Sequence, residues 1–191
     1  MPVIPDDTQI VSKDQLEVMV SPRAHDIVDR LVADGPLSIK EIAAQIGCRP
    51  SSLYHHIAKL MSVGLVVESG SRVVRRRREL LYDACAPRLR FTRALLDWEH
   101  PEVLTQMVYS LTRQMARDFE HGAASPFRIA DGPGRNFRFG RLIGRPTPAQ
   151  QVRINECLAE INDIMWGHTD ESAPAVAFGW VISPLEQTDS S

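Results

Sequence analysis

The chain is short of the residues and runs that would place it in several large protein classes. Its three cysteines, Cys48, Cys85 and Cys157, are odd in number and widely spaced. That pattern argues against a disulfide framework and against a Cys-x-x-Cys site. No apolar run approaches the roughly 18 residues that a membrane span requires. Asp6 and Asp7 stand where a secretory signal would be basic, so a cytoplasmic protein is expected. The histidines also lack ligand spacing. His55 and His56 are adjacent and would point about 100° apart on a helix, and His100, His121 and His168 are isolated, so no metal is expected. The glycine pair Gly132 and Gly134 precedes no helix and lacks dinucleotide-binding spacing. With neither a nucleophile and base nor a paired acid set in view, no catalytic residue, no cofactor and no enzyme activity are expected.

Positive charge is scarce overall and concentrated locally. The 191-residue chain carries a formal net charge of −2, which taken alone argues against nucleic acid. Between Arg49 and Arg93, however, nine arginines and Lys59 face only Glu68, Glu79 and Asp83, a local charge of +7. A basic stripe on an otherwise acidic chain is the footprint of a DNA-binding module joined to a second function.

That stripe begins in an ordered series of helix signals. Ser21 and Pro22 open a helix whose Ala24, Ile27, Val28 and Leu31 form a core stripe, closed by Gly35 and Pro36. Ser38 and Glu41 have capping-box spacing, so a second helix starts at Ile39 with Ile39, Ile42, Ala43 and Ile46 on one face and ends at Gly47. Pro50 then suits the first position of a third helix running to residue 63. With Leu53, Ile57 and Leu60 inward, Ser51, His55, Ala58 and Ser62 point outward, flanked by Tyr54 and Lys59, with Arg49 at the N-terminal edge. This outward stripe is small, hydrogen-bonding and free of acids, as a major-groove surface must be. Gly64 ends the helix. Leu65 to Glu68 reads as a strand, Ser69 to Ser71 as its turn, and Glu79 to Ala84 as the return, with Leu80 and Tyr82 on one face. Arg72, Arg75, Arg76, Arg77 and Arg78 fall on this hairpin, where planar guanidinium forks suit phosphate.

Together these words resemble the ArsR-type winged helix-turn-helix transcriptional regulators over about residues 16–84. The resemblance is carried by Val20-Ser21-Pro22, by Gly35 to Ser38, by Ser52 to Ile57 and by Leu60 to Val66. It implies a homodimer that binds double-stranded DNA through residues Arg49, Ser51, Ser52, Tyr54, His55, Lys59, Arg72, Arg75, Arg76 and Arg77. Two departures stand out. Arg49 replaces a capping serine, and the cysteine cluster of metal-sensing members is missing after Ser38.

The expected fold is mainly α with a small β component. A loose arm (1–15) precedes the winged domain (16–86), and residues 87–191 hold a helical dimerisation segment and a small α+β domain. In that region a helix from Leu89 breaks near His100, and a longer one from Pro101 carries Leu104, Met107, Val108, Leu111, Met115 and Phe119 as an apolar stripe. Leu104, Met107, Val108, Leu111 and Met115 are the expected dimer interface. Phe137 and Phe139 alternate in one expected strand, and Val176, Phe178, Trp180 and Ile182 in another before Pro184. Between them lies a helix with Ile154, Leu158, Ile161 and Met165. Phe137, Phe139, Phe178 and Trp180 are the residues suited to an organic effector pocket. The competing reading is a winged protein-interaction module that does not read DNA, and the arginine-rich hairpin weighs against it.

Overall fold

The computed structural model describes residues 8–9, 12–90, 101–167 and 173–185. The chain divides into two compact units, Met1–Gln114 and Met115–Ser191.

In the first unit a short strand β1 (Thr8–Gln9) pairs in parallel with β4 (Leu89–Arg90). The first 15 residues are therefore not wholly a loose arm. Helix α1 (Lys13–Met19) begins at a capping box in which the Gln15 N–H donates to Ser12 Oγ and Ser12 N–H to Gln15 Oε1. Helix α2 (Pro22–Asp34) and helix α3 (Ile39–Gln45) start where their proline and capping box place them. A single 3-10 turn (Pro50–Ser52) leads into α4 (Tyr54–Ser62), so the helix expected from Pro50 spends its first turn tighter than an α-helix. Leu16, Met19, Ile27, Leu31, Ile42, Leu53, Ile57, Leu60 and Leu65 fill one core among these helices and the following hairpin.

The hairpin pairs β2 (Val66–Val74) with β3 (Arg77–Ala84) in antiparallel register, Val66 opposite Ala84 and Val74 opposite Arg77. Its tip is Arg75–Arg76, not Ser69–Ser71. Both tip residues have positive φ, 49° and 65°, the geometry of a tight turn that matches strand twist. Gly70, the residue that suggested a turn, instead serves a bulge between Glu68 and Gly70, where its φ of 151° is accommodated inside the strand. Leu37 and Tyr82 add an isolated bridge that ties the hairpin to the segment before α3.

The expected helix around Leu95 and Leu96 lies outside the described residues. Beyond it, α5 (Pro101–Ala123) turns one stripe into the core of the first unit: Val103 and Met107 are buried with it, and Gln114 Nε2 donates to Asp29 Oδ2 at 2.9 Å. Met107 is thus a core residue of its own subunit, correcting its place in the expected interface. Leu104, Val108, Leu111, Met115 and Phe119 form a second stripe, about 110° round the helix, that stays half-buried or exposed.

The second unit holds α6 (Pro148–Met165), opened by a Thr147–Gln150 capping box. Neither expected strand forms: residues 137–139 and 176–182 carry no regular structure. A strand exists only through a neighbour's hydrogen bonds, and among the described residues these segments find no ladder. The mainly helical class with a winged N-terminal domain holds, while the α+β character of the second unit does not.

Candidate nucleic-acid interface

Helix α4 presents its two faces as its sequence dictates. Leu53 and Leu60 are inaccessible and Ile57 nearly so, whereas Ser51, Ser52, Tyr54, His55, Ala58, Lys59 and Ser62 are exposed. Burying three such aliphatic side chains, at about 1.5–3 kcal/mol each, fixes the rotation of the helix and hence which residues face out. Tyr54 is 61% exposed although it is the largest side chain of the helix. The Ser52 and Ser62 hydroxyls donate to the Arg49 and Lys59 carbonyls, at 2.7 and 2.8 Å, and keep their lone pairs as acceptors. Arg49 caps the 3-10 turn by backbone position alone, with no side-chain bond. Its guanidinium remains exposed at the N-terminal edge of the outward face.

His55 is exposed and His56 half-buried, their rings edge-on with centroids 5.8 Å apart. Burial, then repulsion from the basic neighbours His55, Arg23 and Lys59, holds the His56 imidazole below its ordinary range. It is therefore a neutral packing residue beside the surface, while His55 belongs to the surface itself.

The hairpin's arginines divide into two groups. Arg72 reaches Glu41 at 2.5 Å and Glu79 at 3.8 Å, and Lys40 reaches Glu79 at 2.5 Å, so Arg72 braces β2 and β3 against α3. Its hydrogen bond to Glu41 holds that carboxyl below the usual carboxylate range, aided by the Ser38 N–H. Arg78 Nε donates to Ser71 Oγ at 2.9 Å across the hairpin. Arg75, Arg76 and Arg77 are exposed and make no ion pair among the described residues. The Glu41 brace was not anticipated. The capping-box spacing identified Glu41, but only the register of β2 shows that its second oxygen meets Arg72.

The other candidate residues separate. Phe137 stacks on Phe119 with centroids 4.3 Å apart, and Phe139 meets the same ring edge-on at 5.7 Å. Phe178 and Trp180 make no ring contact with them among the described residues and are each about half exposed. The four aromatics thus form two groups, not one lining. Among the described residues no group of three His, Cys, Asp or Glu side chains is arranged to hold a metal ion, and no helix is long and apolar enough to cross a membrane.

Comparison with known proteins agrees with this geometry in one place. Residues 21–69, from α2 into the first strand of the hairpin, match the family described as a helix-turn-helix domain. A transcriptional regulator from Thermotoga maritima, Tm0710, is similar over 76% of each chain, with 13% identity and a TM-score of 0.32. A likeness that distant carries no argument about fold or function. No curated protein matches the chain.

Proposed function

We propose that this protein is a sequence-specific, double-stranded DNA-binding transcriptional regulator of ArsR type, acting in the cytoplasm as a homodimeric repressor. Residues 50–63 enter the major groove, with Ser51, Ser52, Tyr54 and His55 at base edges and Arg49 and Lys59 at flanking phosphates. Arg75, Arg76 and Arg77 lie along the backbone. The observation that carries the reading is the presence on one compact unit of an exposed, acid-free helix face and of three exposed hairpin arginines with no acidic partner among the described residues. Anion contacts from the arginines supply affinity and the helix face supplies sequence preference. The subunits meet through the outward stripe of α5, Leu104, Val108, Leu111 and Met115, which its own chain leaves half-buried or exposed.

The test is selection of bound fragments from a random duplex pool by purified protein, with sedimentation of the selected complex. An enriched inverted repeat bound by two subunits is expected. Binding without enrichment would overturn sequence-specific reading, and absence of binding at low salt would leave the protein-interaction module as the better account.

A further inference from the structure

The most strongly β-patterned segment of the chain, Val176–Ile182, is also one with no regular structure. Its large side chains Val176, Phe178, Trp180 and Ile182 alternate, and each is between 42% and 50% exposed. None of the backbone groups of residues 175–183 makes a hydrogen bond to another backbone group among the described residues. A run of β-branched and aromatic residues whose backbone groups pair with no other backbone has the pattern of a strand that lacks its neighbour.

The sequence itself says which neighbour. Read outwards from Gly179, four of five pairs match in size class, Phe178 and Trp180, Val176 and Ile182, Ala175 and Ser183, and finally Pro174 and Pro184, while Ala177 and Val181 differ. Proline cannot donate to a ladder, so the two prolines bound a strand of nine residues centred on glycine. A segment of this form complements itself when two copies run antiparallel. Phe178 then lies opposite the partner's Trp180 and Val176 opposite its Ile182, with all eight large residues on one face. Self-pairing of one patch about a two-fold axis is the commonest symmetry of a dimer interface.

We propose that Val176–Ile182 forms an antiparallel two-stranded ladder with the same segment of a second copy, the two-fold axis passing through Gly179. The inference rests on the dimer reading above and deepens it. At the centre of the segment a Cβ built on Gly179 would lie 2.8 Å from Met115 Sδ and 3.0 Å from Met115 Cγ, so the absence of a side chain there lets the backbone sit directly against Met115. Phe178 and Trp180 pack across subunits in this arrangement, which removes them from any effector pocket.

Antiparallel partners have Cα atoms about 4.5–5.5 Å apart, within disulfide range, whereas residues offset by two are not. Full-length Phe178→Cys and Trp180→Cys variants, each also carrying Cys157→Ser, are oxidised alone and after subunit mixing. Ala177→Cys and Val181→Cys repeat the test on the opposite face of the strand, where no large side chain is lost. Covalent dimer should rise about tenfold in each mixture over either variant alone. Self-cross-linking of Phe178→Cys alone would indicate parallel pairing and overturn the proposal. A dimer in sedimentation that cross-links in neither mixture would overturn the ladder and leave the dimer reading intact. A wild-type monomer at micromolar concentration would overturn both.

Discussion

His25 has the most consequential environment of any single side chain in the winged unit. It sits on α2 only 7% exposed, its Nδ1 has no hydrogen-bond partner, and burial pushes its imidazole down from 6.5 to about 4. Since the folded pKa lies below the unfolded one, the native state binds fewer protons wherever the pH is between the two values. Stability is therefore complete above about 6.5 and is lost as pH falls through the window towards 4, by about 3 kcal/mol if the shift is fully expressed. His25→Leu removes both the titration and the orphaned nitrogen, so the variant should match or exceed wild type at pH 5 in urea unfolding. A wild-type and variant difference that stayed constant from pH 7 to pH 4.5 would show that His25 does not titrate in this way. The burial of His25 was not legible in its sequence context. Its position follows from the same 3.6-residue stripe as Ala24 and Val28, but a polar residue beside an apolar stripe does not announce which side of the boundary it falls on.

Among the elements, α3 and the hairpin are coupled by one side chain. Glu41 accepts from both the Ser38 N–H and its hydroxyl at 2.9 Å, and its other oxygen meets Arg72. Glu41→Gln keeps the capping acceptor and discharges the brace. Global stability should change by well under 1 kcal/mol, as for an exposed ion pair, while amide exchange in β2 and β3 accelerates. Ser38→Ala, which removes the cap itself, should cost about 1 kcal/mol. Equal effects of the two substitutions on unfolding would contradict this division. The recognition surface separates similarly. Replacing Ser51, Tyr54 or His55 should relax sequence preference by about 1–3 kcal/mol per lost base contact, whereas replacing Arg75, Arg76 or Arg77 should weaken all sequences alike and flatten the salt dependence by about one unit each. Titrations of cognate and scrambled duplexes at several salt concentrations decide between these outcomes.

What could be read in advance at this scale follows from the range of the forces involved. Caps, helix stripes and Gly stops are local, so α2, α3 and the inward face of α4 were legible. The boxes at Ser12–Gln15 and Thr147–Gln150 carry the same signal as Ser38–Glu41 and could have been found by it. The hairpin tip was not legible. Gly70 is the better turn former, yet the register that buries Val66, Tyr82 and Ala84 puts the turn at two arginines, against a local cost of about 1–2 kcal/mol per residue. The strands at 137–139 and 176–182 failed for a different reason, since alternation reports what a segment can pair with and not whether the partner lies in the same chain.

For the whole molecule, the proposed dimer makes α5 the element that ties subunit association to DNA geometry. One stripe of the helix, Val103 and Met107, is locked into the winged unit's core, while the neighbouring stripe, half-buried or exposed, is the one assigned to a second copy in the proposed dimer. In that proposed dimer helix α5 would be a rigid link between where a subunit pairs and where its recognition helix points. Two recognition helices held by such links reach successive major grooves on one face of the duplex only when half-site centres are about 10 base pairs apart. Inserting about 5 base pairs between the half-sites rotates one to the opposite face and should reduce affinity to that of a single half-site, while inserting about 10 restores the facing and should recover part of it. Leu111→Glu or Val108→Glu, which places charge in the outward stripe, should make wild-type and lengthened sites equivalent without unfolding the winged unit, since neither residue belongs to its core. Fluorescence anisotropy on the three duplexes with wild type and variant provides the measurement. Affinity that did not depend on spacing in the wild type would mean that the subunits read DNA independently and that α5 does not transmit their pairing to the recognition helices.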